Sequence, residues 1–316
     1  METRKLGNSD LYITSIGFGS WATGSPWLLD VGSEDDQQLI ALIHRALEAG
    51  VNWIDCAPAD GFGRAEKIVA QALEEWSGPR PYIFTKCGII WNESGKVAYS
   101  LKADSIRREC EASLSRLKIE TIDLYQIHWP VDDLAEVEEG WLELKKLKKE
   151  GKARWIGVCN LNVESLRRLQ AIAPITSLQM PYSLIKREVE KEILPFCQKA
   201  ELGVIVNSPM ASGLLTGRMT RDRAAEFPTD DWRITHPEFC EPKLTENLQL
   251  AERLRSIGKN HGCSVGEVAV AWILLHPTVT GAIVGACSAE QVEDIFDASG
   301  LRLTSEEIAF IEDRKI

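Results

Sequence analysis

Ile122-Asp123-Leu124-Tyr125-Gln126-Ile127 is a short run of strand character, followed by a helix-period segment at 137–149 and a second apolar run at 155–159. Two strand-like runs separated by an amphipathic segment read as parallel strands joined by a crossover helix. Outward from this unit the same alternation extends over almost the whole chain. Strand candidates lie at 16–19, 53–55, 82–86, 122–127, 155–159, 177–180, 203–207 and 281–284. Helix-period segments lie at 36–49, 65–75, 105–117, 137–149, 163–172, 188–200 and 289–298, with apolar positions three and four apart. In the third of these, Ile106, Cys110 and Leu114 form one stripe flanked by charges, as on a helix covering the outside of a sheet. Eight strands with crossovers in about 300 residues close more naturally into a barrel than into an open sheet. The expected fold class is therefore α/β, a (β/α)8 TIM barrel, with one domain over residues 1–316. Ahead of the first strand, 4–6 and 11–15 flank the turn Gly7-Asn8-Ser9-Asp10, which predicts an N-terminal β-hairpin plugging one end. The longest irregular stretch, 217–242, contains Asp230-Asp231-Trp232-Arg233 and is predicted to be a lid.

The balance of 47 acidic against 36 basic residues leaves a formal charge of -11, the wrong sign for nucleic acid or an anionic membrane surface. Hydrophobic residues at 44% and charged residues at 26% are ordinary for a folded chain and exclude a disordered one. The eight cysteines never approach C-x-x-C spacing, so reduced thiols in a cytoplasmic protein are expected. No signal peptide and no membrane span are expected either.

Barrel chemistry sits where strands end and the following loops begin. Asp55 ends the second strand, Lys86 the third, His128 follows the fourth, and Asn160 follows the fifth. Each alone has a structural reading: a helix cap, a salt-bridge partner, a satisfied buried histidine. Four polar groups converging on one rim favour a functional site. Gly17-Phe18-Gly19-Ser20-Trp21-Ala22 fits G-x-G-x-x-A, but Gly24, Ser25 and Pro26 follow where a dinucleotide fingerprint would open a helix. Asp55, Asp60 and His128 could ligate a divalent ion, yet Lys86 among them would repel one, and no metal is expected.

The run Trp53-Ile54-Asp55-Cys56-Ala57-Pro58-Ala59-Asp60-Gly61-Phe62-Gly63-Arg64-Ala65-Glu66 resembles the aldo-keto reductase signature D-T-A-x-x-Y-G-x-G-x-S-E. Further matches follow in order: Phe84-Thr85-Lys86, Asp123-Leu124-Tyr125-Gln126-Ile127-His128, Ile156-Gly157-Val158-Cys159-Asn160, Ser208-Pro209-Met210-Ala211-Ser212-Gly213-Leu214-Leu215 and Val284-Gly285-Ala286-Cys287-Ser288-Ala289-Glu290-Gln291. The chain is thus similar to the aldo-keto reductase superfamily along nearly its full length, in a bacterial branch with a short C-terminus. The resemblance implies an NAD(P)-dependent oxidoreductase of carbonyls or alcohols. In that family an aspartate, a tyrosine, a lysine and a histidine form the site, the tyrosine protonating the carbonyl oxygen. Asp55, Lys86 and His128 match three of these, and Asp60 stands at the tyrosine position. A carboxylate is several atoms shorter than a phenol and, beside a lysine, is expected to be ionised, suiting a base better than an acid.

The resemblance also implies NADP or NAD as cofactor, with Asn160 and Gln179 on the carboxamide and Ser208, Met210, Ser212, Gly213, Leu214, Gly285, Cys287 and Gln291 along the dinucleotide. Asn207 replaces the aromatic residue many members place against the nicotinamide, and Cys159 replaces a serine. Cys287 stands for the arginine that commonly contacts the 2'-phosphate and Ile295 for an adenine-contacting asparagine, which weakens NADPH in particular. Trp21, Trp27, Trp91 and Trp129 follow strands on the same rim and suggest a pocket for a ring-shaped or sugar-like small molecule. The short C-terminus implies a wide pocket. Three functions stay open: the oxidoreductase; a redox-neutral lyase, dehydratase or isomerase with Asp60 or His128 as base and Lys86 as oxyanion stabiliser; and a non-catalytic binding protein.

Overall fold

The structure, a computed structural model, describes residues 1–23, 36–286, 288, 291, 292, 295 and 297–313. The chain opens with β1 (Thr3–Lys5) and β2 (Tyr12–Thr14), an antiparallel hairpin. Its turn is closed by Ser9, whose Oγ donates to the Leu6 carbonyl at 2.6 Å and accepts from the Leu11 N–H at 3.0 Å. Gly7 in that turn has φ +51°, and a Cβ there would stand 2.2 Å from the Thr176 carbonyl oxygen. No larger residue fits where the hairpin meets the barrel.

The barrel strands are β3 (Ile16–Gly19), β4 (Trp53–Asp55) and β5 (Tyr82–Cys87), then, after the antiparallel hairpin β6 (Ile89–Trp91) and β7 (Val97–Tyr99), β8 (Ile122–Ile127), β9 (Ala153–Cys159), β10 (Ser177–Pro181), β11 (Gly203–Asn207) and β12 (Val279–Val284). They close in the order β10-β11-β12-β3-β4-β5-β8-β9, every pair parallel. The expected TIM barrel with its N-terminal hairpin is the observed fold, and each expected barrel strand lies within two residues of the observed one. Strands with helices outside and packed side chains inside are apolar on both faces, so they stand out as unbroken runs.

Helices α1 (Asp36–Glu48), α2 (Arg64–Glu75), α3 (Ala103–Leu117), α4 (Leu134–Lys149), α5 (Val163–Ile172) and α6 (Ile193–Lys199) cross between strands. The expected segment 188–200 divides into a 3-10 turn, Glu188–Glu190, and α6. Pro195 explains the break: without an N–H it is tolerated in a first turn but not within a longer helix. The stretch 217–242 is more regular than expected. It holds α7 (Arg221–Ala225), capped by Thr220, and 3-10 turns at Trp232–Thr235 and Pro237–Phe239, the first capped by Asp231. After it come α8 (Lys243–His261), α9 (Val265–Leu274), opened by a Ser264/Glu267 capping box, and α10 (Ser305–Glu312). Half of the expected closing helix at 289–298 lies outside the described residues; of the rest, 291, 292 and 295 are helical and 297–298 belong to a 3-10 turn, Asp297–Gly300.

Inside the barrel, Trp53, Phe84, Leu124, Ile205 and Ile283 pack against Leu6, Leu11 and Ile13 of the hairpin segment. The Trp53 indole N–H donates to the Thr14 carbonyl at 2.8 Å, tying the plug to β4. Fully burying each large side chain contributes about 1.5–3 kcal/mol. Among the described residues no helix is long and apolar enough to cross a membrane.

Candidate active site

Side chains two residues apart on a strand share a face, so the residues that follow the apolar plug along each strand also point inward. On β4 the plug residue is Trp53 and the next inward residue is Asp55. On β5 the pair is Phe84 and Lys86, on β8 Leu124 and Gln126, on β11 Ile205 and Asn207. The outcome is a polar layer at the C-terminal end of the barrel, opening into a cavity of about 630 Å³.

Asp55 is the hub. It forms a buried ion pair with Lys86 and accepts from Gln179 Nε2 at 2.9 Å and Gln126 Nε2 at 3.4 Å. Lys86 Nζ also donates to the Cys56 carbonyl at 3.1 Å. Burial works against the lysine's charge, but the Asp55 carboxylate, with Cys159 and Asp60, overcomes it and holds the ammonium above the ordinary lysine range. His128 moves the other way. Burial first, and then the Lys86 charge, push its imidazole well below the usual histidine value, so the ring is neutral at pH 7.

Asp60 lies in the tight loop after β4. Its N–H donates to the Ala57 carbonyl at 3.1 Å, its carbonyl accepts from the Ala65 N–H at 3.2 Å, and the Gly63 N–H reaches the Pro58 carbonyl at 2.7 Å. Three successive residues with positive φ, Gly61, Phe62 and Gly63, turn the chain from this loop into α2. At the start of α2, Glu66 is wholly buried, accepting from Thr85 Oγ1 at 2.7 Å and Arg116 Nε at 2.6 Å. The loop is therefore braced from below. Asp60 is buried in the cavity wall, and its carboxyl is pushed up to about 7. Burial is the largest cause; the Lys86 charge opposes it, while Asp55 and Glu66 reinforce it. This corrects the expectation of an ionised carboxylate: Lys86 is already neutralised by Asp55, so its field cannot offset the desolvation.

Most residues singled out in the sequence converge here. Asp55, Asp60, Lys86, His128, Gln179, Ser208, Met210, Ser212, Gly213, Gly285 and Gln291 all line the cavity, as do Trp21, Trp91 and Trp129. Two do not reach its wall. Asn160, itself at φ +59°, donates from Nδ2 to the His128 carbonyl at 3.0 Å and braces the histidine segment from behind. Leu214 is buried in the apolar core, its N–H bonded to the Ala211 carbonyl at 3.2 Å. Trp27 and Cys287 lie outside the described residues. Sequence reasoning missed Phe62, Tyr99, Arg218, Arg223, Trp232 and Arg233 as cavity residues. The composition of 217–242, rich in arginine and aromatic side chains, was the available signal for four of them. Phe62 packs on Trp91 with ring centroids 5.4 Å apart, and the β6-β7 hairpin supplies Trp91 and Tyr99 to the rim.

The match to the Aldo/keto reductase family spans residues 15–315. The chain belongs to that family. Among curated relatives, the aldo-keto reductase YhdN of Bacillus subtilis (strain 168) is 36% identical over 311 residues, covering 97% of this chain and 91% of that protein. The NADH-specific methylglyoxal reductase of Escherichia coli (strain K12) is 32% identical over 317 residues, covering 96% and 95%. Among solved structures, the glycerol dehydrogenase AKR11B4 of Gluconobacter oxydans superposes with a TM-score of 0.90 at 36% identity, covering 99% of this chain and 94% of that one. The holo form of aldo-keto reductase AKR11C1 from Bacillus halodurans gives a TM-score of 0.81 at 28% identity, covering 99% and 96%. As an aldo-keto reductase this chain is an oxidoreductase that uses a nicotinamide dinucleotide on small carbonyl compounds. Of the three functions left open by the sequence, family membership supports the first.

The residues present fit such a cofactor. Ser208, Ala211 and Ser212, none of them glycine, are held at φ 53°, 49° and 53°, next to Gly213 at 103°. Such strain in a loop lining a cavity is characteristic of a ligand cradle. Gly266 keeps the wall open behind it: a Cβ there would meet the Met210 sulfur at 3.0 Å. On the floor, Gln179 donates its amide to Asp55 at 2.9 Å and Asn207 Nδ2 lies 3.5 Å from Gln179 Oε1, both lining the cavity with Lys86.

Proposed function

We propose that this enzyme reduces a carbonyl substrate with Asp60, standing at the family's tyrosine position, as the proton donor. The observation that carries the reading is a buried carboxyl at about 7 on the wall of the cavity that the Asp55–Lys86 pair floors. A carboxylic acid at that value is protonated often enough at neutral pH to donate and is readily reprotonated from solvent. Gln179 and Asn207 would hold the carboxamide of the nicotinamide ring, and Ser208, Met210, Ser212, Gly213 and Gln291 the rest of the dinucleotide. When bound, the nicotinamide supplies the hydride to the carbonyl carbon.

The remaining chemistry belongs to the chain. Asp60 gives its proton to the carbonyl oxygen, directly or through one water because its side chain is short, and becomes a carboxylate. The Lys86 ammonium, fixed by Asp55, stabilises both that carboxylate and the oxygen's developing charge. His128, neutral and braced through the Asn160 contact to its carbonyl, orients the substrate oxygen by hydrogen bonding. The aromatic rim from Trp21, Trp91 and Trp129 suits a small ring-shaped or sugar-like substrate. Because Cys287 and Ile295 replace the arginine and asparagine expected at the adenosine end, NADH is read to bind at least as tightly as NADPH.

Asp60→Asn is the test. Its kcat for aldehyde reduction should fall about 10²–10⁴-fold, while quenching of tryptophan fluorescence by NADH persists. In the unsubstituted enzyme, reduction should decline as pH rises through about 7, and alcohol oxidation should increase over the same interval. An Asp60→Asn enzyme with full activity and an unaltered pH profile removes Asp60 from the chemistry.

A further inference from the structure

A carboxyl behind the barrel wall holds the main chain where the floor of the cavity passes into its rim. β5 ends at Cys87, and Gly88 turns the chain out of the barrel toward the β6-β7 hairpin at φ +95°, so tightly that a Cβ there would stand 2.6 Å from Leu101 Cδ2. The Gly88 N–H has left the β5-β8 ladder, whose register ends at Cys87 and Ile127, and needs a partner elsewhere. Glu109 of α3 supplies it: Oε2 accepts from the Gly88 N–H at 2.8 Å, while Oε1 accepts from Ser105 Oγ, one helical turn back, at 3.2 Å. On the other edge of the same peptide unit, the Cys87 carbonyl accepts from the His128 N–H at 2.9 Å. Glu109 is partly buried, and that burial pushes its carboxyl up to about 7, against the Gly88 and Ser105 hydrogen bonds and the charges of Arg108 and Arg116. An apolar side chain would be easier to place there but would leave the Gly88 N–H unpaired.

We propose that Glu109 is a positioning residue of the reaction: acting through the Cys87–Gly88 peptide, it fixes where His128 meets the substrate oxygen and where Trp91 and Tyr99 stand against the substrate body. A peptide unit is planar, so a carboxylate that fixes the N–H on one edge also fixes the carbonyl on the other, and bonds in such a chain strengthen one another. His128 is thereby held at both ends of its own main chain, its N–H through Cys87 to Glu109 and its carbonyl by Asn160. Gly88 also starts the hairpin: its carbonyl accepts from the Ser100 N–H at 3.3 Å, and Ile89 then pairs with Tyr99. His128, Trp91 and Tyr99 line the cavity and Glu109 does not, so it acts on substrate only through them. The proposal rests on the carbonyl-reducing function above and adds the residue that sets its geometry.

Glu109→Leu fills the same space without an acceptor, and benzaldehyde and glyceraldehyde with NADH are the probes. Its kcat/KM for either aldehyde should fall about 10–100-fold, the loss a displacement of about 1 Å at an orienting group produces, while quenching of tryptophan fluorescence by NADH persists. Glu109→Gln, whose amide oxygen still accepts from Gly88, should recover to within about threefold of the unsubstituted enzyme. Glu109→Asp keeps the charge but is one methylene too short; it should lose activity as Glu109→Leu does, and it carries the same test if Glu109→Leu does not fold. Leu117→Ala, in the apolar core on the same helix, should lower stability without that loss of kcat/KM. Hydrogen exchange reads the brace without turnover: the Gly88 and His128 amides should both exchange at least about tenfold faster in Glu109→Leu. If the unsubstituted enzyme reduces neither aldehyde but both amides are freed in the variant, the assignment of Glu109 to His128 and the hairpin stands and the carbonyl-reducing function fails. A kcat/KM within about twofold of the unsubstituted enzyme in Glu109→Leu and Glu109→Asp overturns the proposal. So does unchanged exchange at His128, or an equal loss of kcat/KM in Leu117→Ala, which would tie activity to stability alone.

Discussion

The two ends of the barrel interior are made by the same strands and differ by a single two-residue step. At the N-terminal end Trp53, Phe84, Leu124 and Ile205 close on Leu6, Leu11 and Ile13 of the hairpin and exclude water. One step along the same faces, Asp55, Lys86, Gln126 and Asn207 form a hydrogen-bonded polar layer. The first layer is held by area removed from water and tolerates any good fit. The second is held by pairing, where each buried charge is bearable only because a specific partner faces it. Stability and chemistry are thus stacked along one axis, close enough that a polar residue at the first layer would be as damaging as an apolar one at the second.

Substitutions at the two layers should separate accordingly. Lys86→Met strands the Asp55 carboxylate in a buried site. It should cost about 3–5 kcal/mol of stability and also reduce kcat about 10²–10³-fold. Adding Asp55→Asn to Lys86→Met should restore much of the midpoint in denaturant but none of the activity; recovery of both would place the pair in folding alone. Trp53→Ala at the plug should destabilise by a similar amount, about 3–5 kcal/mol, yet leave KM for the aldehyde close to that of the unsubstituted enzyme. A large KM change would show that the two layers are coupled.

A smaller effect separates them by pH. The Asp60 carboxyl sits at about 7 in the folded chain against 3.8 for an unperturbed aspartate, so the native state binds that proton more tightly than the unfolded state. Its stabilising contribution is complete below pH about 4 and is lost as pH rises through about 7, at about 1.4 kcal/mol per unit. Asp60→Asn should therefore gain in Tm over the unsubstituted protein at pH 8 relative to pH 5, whereas plug variants should show no such dependence. The smallest change is expected at the hairpin turn. Ser9→Ala removes two hydrogen bonds and should lower stability by about 1 kcal/mol without altering kcat.

Nearly all of the barrel was legible in the sequence because buried parallel strands are short apolar runs between helix-period segments, and the polar residues ending those runs pointed to the floor of the site. The hairpin β6-β7 was missed. Ile89-Ile90-Trp91 is too short to show a period, and its partner strand carries exposed Ala98 and Tyr99. The cavity residues of 217–242 were missed although the composition of that stretch carried a signal, since an arginine in a polar stretch reads as solvated surface. The charge state of Asp60 was misread for a related reason: the neighbour, Lys86, was visible, but its prior engagement by Asp55 and the depth of burial were not.

The amino-acid sequence by itself determined the eight-stranded architecture, the hairpin and the identity of Asp55, Asp60, Lys86 and His128 as the polar groups at one rim. The architecture and the residues at strand ends follow from local periodicity, a property of neighbouring residues, and Asp60 from the resemblance to a known family. Only the tertiary structure decided that Asp60 is pushed up to about 7, that Asn160 and Leu214 are not among the residues lining the cavity, and that Arg218, Arg223 and Arg233 from 217–242 line it along with the aromatic residues. Desolvation and Coulomb interaction depend on distances between residues far apart in the chain, and those distances exist only once the barrel has closed.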